Sequence, residues 1–273
     1  MNQQLTKYLA SHGPWSRRQA ESLIRAGRVK VNNEPAYLGQ IIIDPSAIVK
    51  VDGRPIASQE PAPVYLMMNK PVGYTCTNRQ LAHEKNIFEL VNYRDRLFVA
   101  GRLDKNSHGL VLLTNDGALA AKLTHPRFAH VKTYEVTIKP ELSPSNFSKL
   151  QTFLSQGHKL YDGQGLARAK INRQLASNRL EIILEQGQKR QIRLLLGLAG
   201  YTVIDLKRTG IGPLRLGRLP VGAVRSLNTA EIDRLKQLIN GGVREWLNRA
   251  LSKSAMPKTA SRVRIPSPPP SLS

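Results

Sequence analysis

The sequence is poor in several kinds of residue, and each shortage argues against a class of protein. Cys76 is the only cysteine among 273 residues, which excludes a small disulfide-stapled scaffold. No stretch approaches about 18 uncharged apolar residues, so a membrane protein is not expected. Residues 1–13 lack the apolar core of a signal peptide. Aromatic residues are only 5% of the chain, too few to bind long single strands by stacking alone. We therefore expect a cytoplasmic globular protein.

Acidic residues are also scarce, and this shortage indicates a partner. The chain has 19 Asp and Glu against 41 Lys and Arg, which gives a formal net charge of +22. A surplus of this size favours a polyanionic partner, and nucleic acid is the default. An anionic membrane surface is less favoured because no strongly basic amphipathic helix is present. A basic protein without a specific partner is the remaining alternative.

Residues 1–60 have the pattern of two short helices followed by short strands. The apolar positions 5, 8 and 9 share one helix face. Ser16 followed by Gln19 has the form of a capping box that opens a second helix. Val29 and Val31 alternate with a polar residue, as in a half-buried strand. The segment is therefore predicted to be a small helix–turn–helix unit with a short sheet.

Basic residues are concentrated in this first segment. Six of them fall within 33 residues that contain one acid, and they are Lys7, Arg17, Arg18, Arg25, Arg28 and Lys30. Arg17 and Arg18 lie in the first turn of the second helix, where the helix dipole disfavours cations. This placement suggests a phosphate-binding surface. A solvated helix face is the alternative explanation.

The stretch LTKYLASHGPWSRRQAESLIRAGRVKVNNEPA, residues 5–36, resembles the S4-like RNA-binding domain. That resemblance implies a small module that docks structured RNA through its helices. The sequence departs from the family at Asn33, where glycine is usual in the hairpin turn. Asparagine tolerates positive φ, so we expect the turn to be preserved.

Residues 65–240 are predicted to form a second, α+β domain with a mainly antiparallel sheet, because strand runs and helices mix without regular alternation. The predicted strands are 65–68, 97–100, 110–113, 134–138, 166–171, 180–184 and 201–206. The predicted helices are 117–124, 143–155, 188–199 and 229–239. Residues 241–273 are rich in Pro, Ser and basic residues, which predicts a disordered tail. The tail is either an extension without function or a basic arm that holds RNA.

The run GRLDKNSHGLVLLTNDG, residues 101–117, contains the strongest candidate for chemistry. A strand leads into a glycine turn, Asp104 follows, and a second strand begins at Gly109. A carboxylate at such a junction can be held firmly and directed into a cleft. Taken alone, however, an Asp after a Gly turn is more often a turn or cap residue.

This run resembles the active-site motif of the RsuA-type pseudouridine synthases, which modify ribosomal RNA. Four further segments agree with that family in order. They are residues 69–73 (NKPVG), 132–134 (KTY), 187–193 (GQKRQIR) and 203–217 (VIDLKRTGIGPLRLG). Together with the first domain, the resemblance covers residues 1 to about 240.

The resemblance implies an isomerase of RNA that needs no cofactor. Asp104 would be the catalytic carboxylate, acting at the ribose C1′ or through removal of a sugar proton. Tyr134 would stack on the extruded base, although a core aromatic residue is the alternative. Arg193 would keep the carboxylate ionised and oriented, although an exposed helix-start arginine is the alternative.

The resemblance also implies RNA contacts in the second domain. Lys70 and Arg102 would contact the RNA backbone or brace the site, and Arg190 would bind RNA. The partner would be ribosomal RNA or a ribosomal subunit precursor, bound by a monomer. The six histidines show no spacing typical of metal ligands, so no metal site is expected.

Two other functions remain open at this point. The first is an RNA-binding or ribosome-assembly factor whose catalytic domain is inactive. The presence of Asp104, Tyr134 and Arg193 favours the enzyme. The second is a hydrolase that uses Asp104, but the sequence shows no second carboxylate at a recognisable spacing.

Overall fold

The chain is described here from a computed structural model. The described residues are 2–44, 46–57, 61–77, 82–125, 130–160 and 165–240. The predicted tail at 241–273 lies outside the described residues.

The first helix pair forms where the apolar spacing predicts it. Helix α1 spans Leu5–His12 and helix α2 spans Arg17–Arg25. The Ser16 hydroxyl accepts a bond of 3.1 Å from the Gln19 amide, and the Gln19 side chain accepts one of 2.7 Å from the Ser16 amide. Both halves of the predicted capping box are therefore present, and they satisfy amide groups that the helix itself leaves unpaired.

Short strands complete this first unit. They are β1 (Gln3–Gln4), β2 (Val29–Val31), β3 (Glu34–Pro35), β4 (Ile41–Ile42), β5 (Val49–Val51) and β6 (Arg54–Pro55). One sheet has the order β3-β2-β5-β6, and β1 pairs with β4. Asn32 and Asn33 have φ of 50° and 69°, so the turn between β2 and β3 is preserved with asparagine in place of glycine. The two helices pack on this sheet through a small apolar core.

A larger mixed sheet dominates the rest of the described chain. Its main strands are β7 (Tyr65–Lys70), β8 (Phe98–Ala100), β9 (His108–Thr114), β10 (Lys132–Lys139), β13 (Lys170–Ala176), β14 (Arg179–Leu184), β15 (Thr202–Ile211), β16 (Leu214–Arg215) and β17 (Val224–Ser226). The strand order is β13-β14-β10-β15-β9-β7-β17, with β8 beside β9 and β16 beside β15. Every neighbouring pair in it is antiparallel except β9 with β15. The predicted α+β class with a mainly antiparallel sheet is confirmed.

Helices cover both faces of this sheet. They are α3 (Gly117–Thr124), α4 (Pro144–Gln156), α5 (Gln191–Leu198) and α6 (Thr229–Asn240), with a short 3-10 helix at Ile87–Leu90 and a small hairpin of β11 (His158–Lys159) and β12 (Leu166–Ala167). Helices α4 and α5 contribute to one apolar core, and α3 and α6 to the other. Alternate residues of β7 and β9 enter the two cores, because successive strand side chains point to opposite faces.

Several predicted elements differ from the structure, among them the strand predicted at 201–206, which extends to Ile211 and so includes Arg208. The strand predicted at 166–171 is two strands, β12 and β13. The helix predicted from 188 begins at Gln191, because Arg190 adopts a left-handed conformation with φ of 55° and cannot continue a helix. Strand β17 was missed, because its sequence VRS has a single apolar residue and so shows no alternation.

Candidate active site

The candidate catalytic carboxylate lies in the loop between β8 and β9, residues 101–107, here called the Asp104 loop. Gly101 opens the loop with φ of +89°, a conformation that favours glycine. Asp104 is exposed. Among the described residues, none lies within hydrogen-bonding or ion-pairing distance of its carboxylate oxygens, and its backbone oxygen accepts a 3.0 Å bond from the Ser107 amide. The carboxylate oxygens of Asp104 are therefore open to an incoming ligand, whereas its backbone oxygen is already bonded.

Lys70 lies beneath this loop at the end of β7, and its side chain is fully buried. Its Nζ donates to the backbone oxygens of Ser107 at 2.6 Å, Pro71 at 3.0 Å, Asp104 at 3.1 Å and Lys105 at 3.4 Å. The prediction that Lys70 contacts the RNA backbone is wrong, because a buried ammonium engaged with four carbonyls cannot reach a phosphate. The alternative role, bracing the site, agrees with this geometry.

Arg208 is a second buried cation at the site, and sequence reasoning did not single it out. It lies on β15 with 1% exposure. Its guanidinium donates to the backbone oxygens of Gly101 at 2.6 Å, Leu110 at 2.7 Å and Arg102 at 3.3 Å. The sequence did contain a signal for this residue. Arg208 follows Leu206 by two residues, and residues two apart in a strand point to the same face, so a charged side chain falls on the buried face of the strand.

The close packing of β9 against β15 explains a glycine in the motif. Gly109 has φ of +105°, and a Cβ atom there would lie 2.3 Å from the backbone oxygen of Arg208. Only glycine allows the two strands to approach this closely. The parallel pairing of Arg208 with Gly109 brings the Arg208 side chain under the Asp104 loop.

Arg193 lies in the first turn of α5 and also reaches the Asp104 loop. Its guanidinium donates to the backbone oxygens of Asn106 at 2.8 Å and Val203 at 3.0 Å. Burial and the nearby charge of Arg190 lower the pKa of Arg193, whereas the Asp104 and Asp205 carboxylates raise it. Arg193 and Asp104 are therefore electrostatic neighbours, but the predicted direct ion pair is not formed in this structure.

Tyr134 lies on β10, where its register neighbours are Ile182 on β14 and Arg208 on β15. Its side chain is 7% exposed and packs in the core on the α4 and α5 face. The ring is therefore close to the site through Arg208, but most of its surface is covered. Stacking on a base stays a prediction, beside the alternative of a core aromatic residue.

Lys132 is a further group that sequence reasoning quoted within a motif but gave no role. It lies two residues before Tyr134 on β10, and its Nζ donates to the His130 backbone oxygen at 3.2 Å. Burial, with a smaller contribution from the charge of Arg208, lowers the pKa of Lys132 to about 8. Lys70 and Arg208 are therefore buried cations bonded to the Asp104 loop, and Lys132 is a half-buried cation whose charge acts on Arg208.

The remaining predicted RNA-binding residues are at the surface. The structure exposes Lys7, Arg17, Arg18, Arg25, Arg28, Lys30, Arg102 and Arg190. Arg28 is distinct, because its guanidinium makes two bonds of 2.7 and 2.6 Å to the Asp52 carboxylate. That ion pair leaves Arg28 less free for phosphate than the others. Arg17 and Arg18 open α2 as predicted, with no acid in the first turn.

The described residues contain no group of three or more His, Cys, Asp or Glu side chains that could hold a metal ion. None of the helices in this part of the chain is both long and apolar enough to cross a bilayer.

Comparisons with known proteins agree with both halves of the sequence. The model of the S4 domain matches residues 4–54, and the model of RNA pseudouridylate synthase matches residues 64–197. An uncharacterized RNA pseudouridine synthase from Aquifex aeolicus is 38% identical over 240 residues, covering 86% of this chain and 94% of the relative. The chain belongs to the RNA pseudouridylate synthase family.

Further relatives in this family include two with more specific names. The dual-specificity RNA pseudouridine synthase RluF of Salmonella typhi is 35% identical, with 94% of this chain and 85% of the relative covered. The ribosomal large subunit pseudouridine synthase B of Bacillus subtilis is 33% identical, with 88% and 98% covered. A crystal structure of a pseudouridylate synthase superposes with a TM-score of 0.61 at 28% identity, covering 85% of this chain and 99% of that one. The predicted family, its S4 domain and its isomerase activity on RNA are confirmed.

Proposed function

We propose that this protein converts a specific uridine of ribosomal RNA into pseudouridine, with Asp104 as the catalytic carboxylate. The observation that carries the proposal is the exposed Asp104 carboxylate, which has no bonded partner among the described residues and lies on a loop whose backbone is bonded to buried cations. Ribosomal RNA is the proposed substrate class because a relative matched over 98% of its length is named a ribosomal large subunit pseudouridine synthase.

The reaction is an isomerisation that needs only protein groups. The bond between uracil N1 and ribose C1′ breaks, the base rotates, and C5 bonds to C1′. C5 loses a proton and N1 gains one, so no cofactor is consumed. Asp104 either attacks C1′ or removes a sugar proton, and in both routes it must be ionised and exposed. Arg193 would supply a nearby positive charge, and Tyr134, the register neighbour of Arg208, would stack on the extruded base.

The first domain is proposed to hold the RNA while the second modifies it. Of its exposed basic residues, Lys7, Arg17, Arg18 and Arg25 lie on the two helices, Arg28 follows the second helix, and Lys30 lies on β2. Arg102 in the Asp104 loop and Arg190 just before α5 are exposed as well, and they would contact the RNA near Asp104. Phosphate contacts of this kind supply affinity and orientation but carry no sequence information. We further propose that the enzyme is cytoplasmic and that it is a monomer. Sedimentation of the purified protein alone and with RNA would test the oligomeric state.

The decisive experiment maps pseudouridine in ribosomal RNA from cells with and without the gene. Loss of one or a few pseudouridines in the deletion strain, restored by the wild-type gene but not by Asp104→Asn, is the expected result. If the maps are identical but the purified protein binds ribosomal RNA, the protein is an inactive binding or assembly factor instead.

A further inference from the structure

The backbone of the Asp104 loop is bonded to cations along nearly its whole length. Arg208 donates hydrogen bonds to the backbone oxygens of residues 101 and 102. Lys70 donates to those of residues 104, 105 and 107, and Arg193 donates to that of residue 106. Six of the seven carbonyls from 101 to 107 therefore accept a bond from a positive side chain. The three cations come from β7, β15 and α5, which are far apart in sequence.

Burying two of these cations is costly for the fold. Lys70 is 0% and Arg208 is 1% exposed, and among the described residues no carboxylate lies within ion-pairing distance of either. Burial lowers the pKa of Lys70, against smaller opposing effects of Cys76 and of the Asp104 carboxylate. A buried charge without a directly paired counter-ion is unfavourable unless hydrogen bonds compensate for the lost water, and the bonds made by Lys70 and Arg208 all go to backbone carbonyls. Apolar residues of similar size would stabilise the core at lower cost. The two cations are therefore better explained by a role in holding the Asp104 loop than by a contribution to the stability of the fold.

We propose that Lys70 and Arg208 are positioning residues, which fix the backbone of the Asp104 loop so that the Asp104 carboxylate is presented to RNA in one geometry. The inference rests on the proposed role of Asp104. The loop carbonyls are drawn inward to the two cations, while the Asp104 side chain is exposed. Reactions of this kind tolerate errors in the position of the reacting group of only about 0.5 Å, and a misplacement of about 1 Å can cost about 100-fold in rate.

Hydrogen exchange at two amide groups can report whether the Asp104 loop keeps its conformation. The Ser107 amide donates to Asp104 O at 3.0 Å, and the Gly73 amide donates to Lys105 O at 2.8 Å. Lys70 bonds to both of these acceptor oxygens. If Lys70 holds the loop, its replacement weakens both amide bonds, and hydrogen exchange at Ser107 and Gly73 becomes faster.

The experiment compares Lys70→Met, Arg208→Met and Arg208→Lys with the parent protein. Amide hydrogen exchange is measured on the whole chain, and single-turnover pseudouridine formation is measured on a ribosomal RNA fragment over a range of enzyme concentrations. For the two Met variants we expect exchange about tenfold faster at Ser107 and Gly73, and a maximal rate lower by about 10- to 100-fold. The enzyme concentration for half-maximal rate should change less than about threefold, because no RNA contact is removed.

A matched control separates positioning from general loss of stability. Leu154 is fully buried in α4, away from the Asp104 loop, so Leu154→Ala should lower the melting temperature. It should leave the maximal rate of the folded protein and the exchange of Ser107 unchanged. Arg208→Lys keeps the buried charge, so it should retain more activity than Arg208→Met. If Lys70→Met does not fold, this pair of Arg208 variants decides the same question.

Several results would overturn the inference. Unchanged exchange at Ser107 and Gly73 in a folded Lys70→Met protein would show that Lys70 does not hold the loop. Faster exchange with an unchanged maximal rate would show that the loop's order does not matter for reaction. If the parent protein makes no pseudouridine on any ribosomal RNA, the proposed function fails, and the exchange measurements alone decide whether the cations fix the loop.

Discussion

Replacing Asp104 by asparagine should separate chemistry from folding more cleanly than any other change in this protein. Because the Asp104 carboxylate is exposed and has no bonded partner among the described residues, Asp104→Asn should change the free energy of unfolding by less than about 0.5 kcal/mol. The amide cannot act as a nucleophile or base, so the rate should fall at least about 1,000-fold. That loss corresponds to about 4 kcal/mol of transition-state stabilisation.

The assay is single-turnover pseudouridine formation on a ribosomal RNA fragment, with binding affinity and melting temperature measured on the same preparations. RNA affinity should stay within about twofold, since one charge contributes little to a whole phosphate interface. If the Asn variant modifies RNA at the parent's rate, Asp104 is a turn residue and the site assignment is wrong.

Asp116 provides the matched control, because it is a carboxylate with structural contacts in the same motif. Its Oδ1 accepts bonds from the amides of Ala118 and Leu119 at the start of α3, and its Oδ2 accepts one from the Tyr65 hydroxyl. Asp116→Ala should therefore cost about 1–2 kcal/mol of stability. The rate of the folded fraction should not change, which is the opposite pattern to Asp104→Asn. An equal loss of rate in both variants would contradict the assignment.

Three further predictions test other parts of the molecule. Replacing Arg17 and Arg18 together by alanine should weaken RNA binding, measured by titration at several salt concentrations. The slope of the logarithm of the binding constant against the logarithm of the salt concentration should become less steep by about 1.5. An unchanged slope would show that α2 does not contact the RNA. Gly109→Ala should lower the free energy of unfolding by at least about 3 kcal/mol, measured with denaturant, because its Cβ would meet a backbone oxygen. Gly197→Ala is the control, since open space surrounds that position, and it should be neutral or stabilising. Equal stabilities of the two variants would refute this packing argument. Burial lowers the pKa of Lys132 to about 8 from the ordinary 10.5, so the unfolded chain binds more protons between these pH values and the native state gains stability as pH rises. Any advantage of Lys132→Met in melting temperature should accordingly shrink from pH 8 to 10.5, and a gap that stays constant would contradict the shift.

The sequence alone determined the local structure and the family. The apolar spacing in residues 5–9 and the Ser16–Gln19 pair predicted the first two helices, because helix faces and caps depend on residues three or four apart. The motif around Asp104 predicted a strand, a turn and a second strand, and the structure has all three. These features depend on residues that are close together in the sequence, so they can be predicted without knowing the tertiary structure.

Only the tertiary structure decided what surrounds Asp104. The resemblance left open whether Lys70 contacts the RNA backbone or braces the site, and the pairing of β7 with β9 buries it beneath the loop, as a brace would be. Arg208 lies 104 positions after Asp104, and the parallel pairing of β15 with β9 brings its guanidinium to Gly101. Arg193 was expected to pair with the carboxylate, but it bonds to the loop backbone instead. Contacts of this kind depend on strand order and register between distant segments, and no local pattern specifies them.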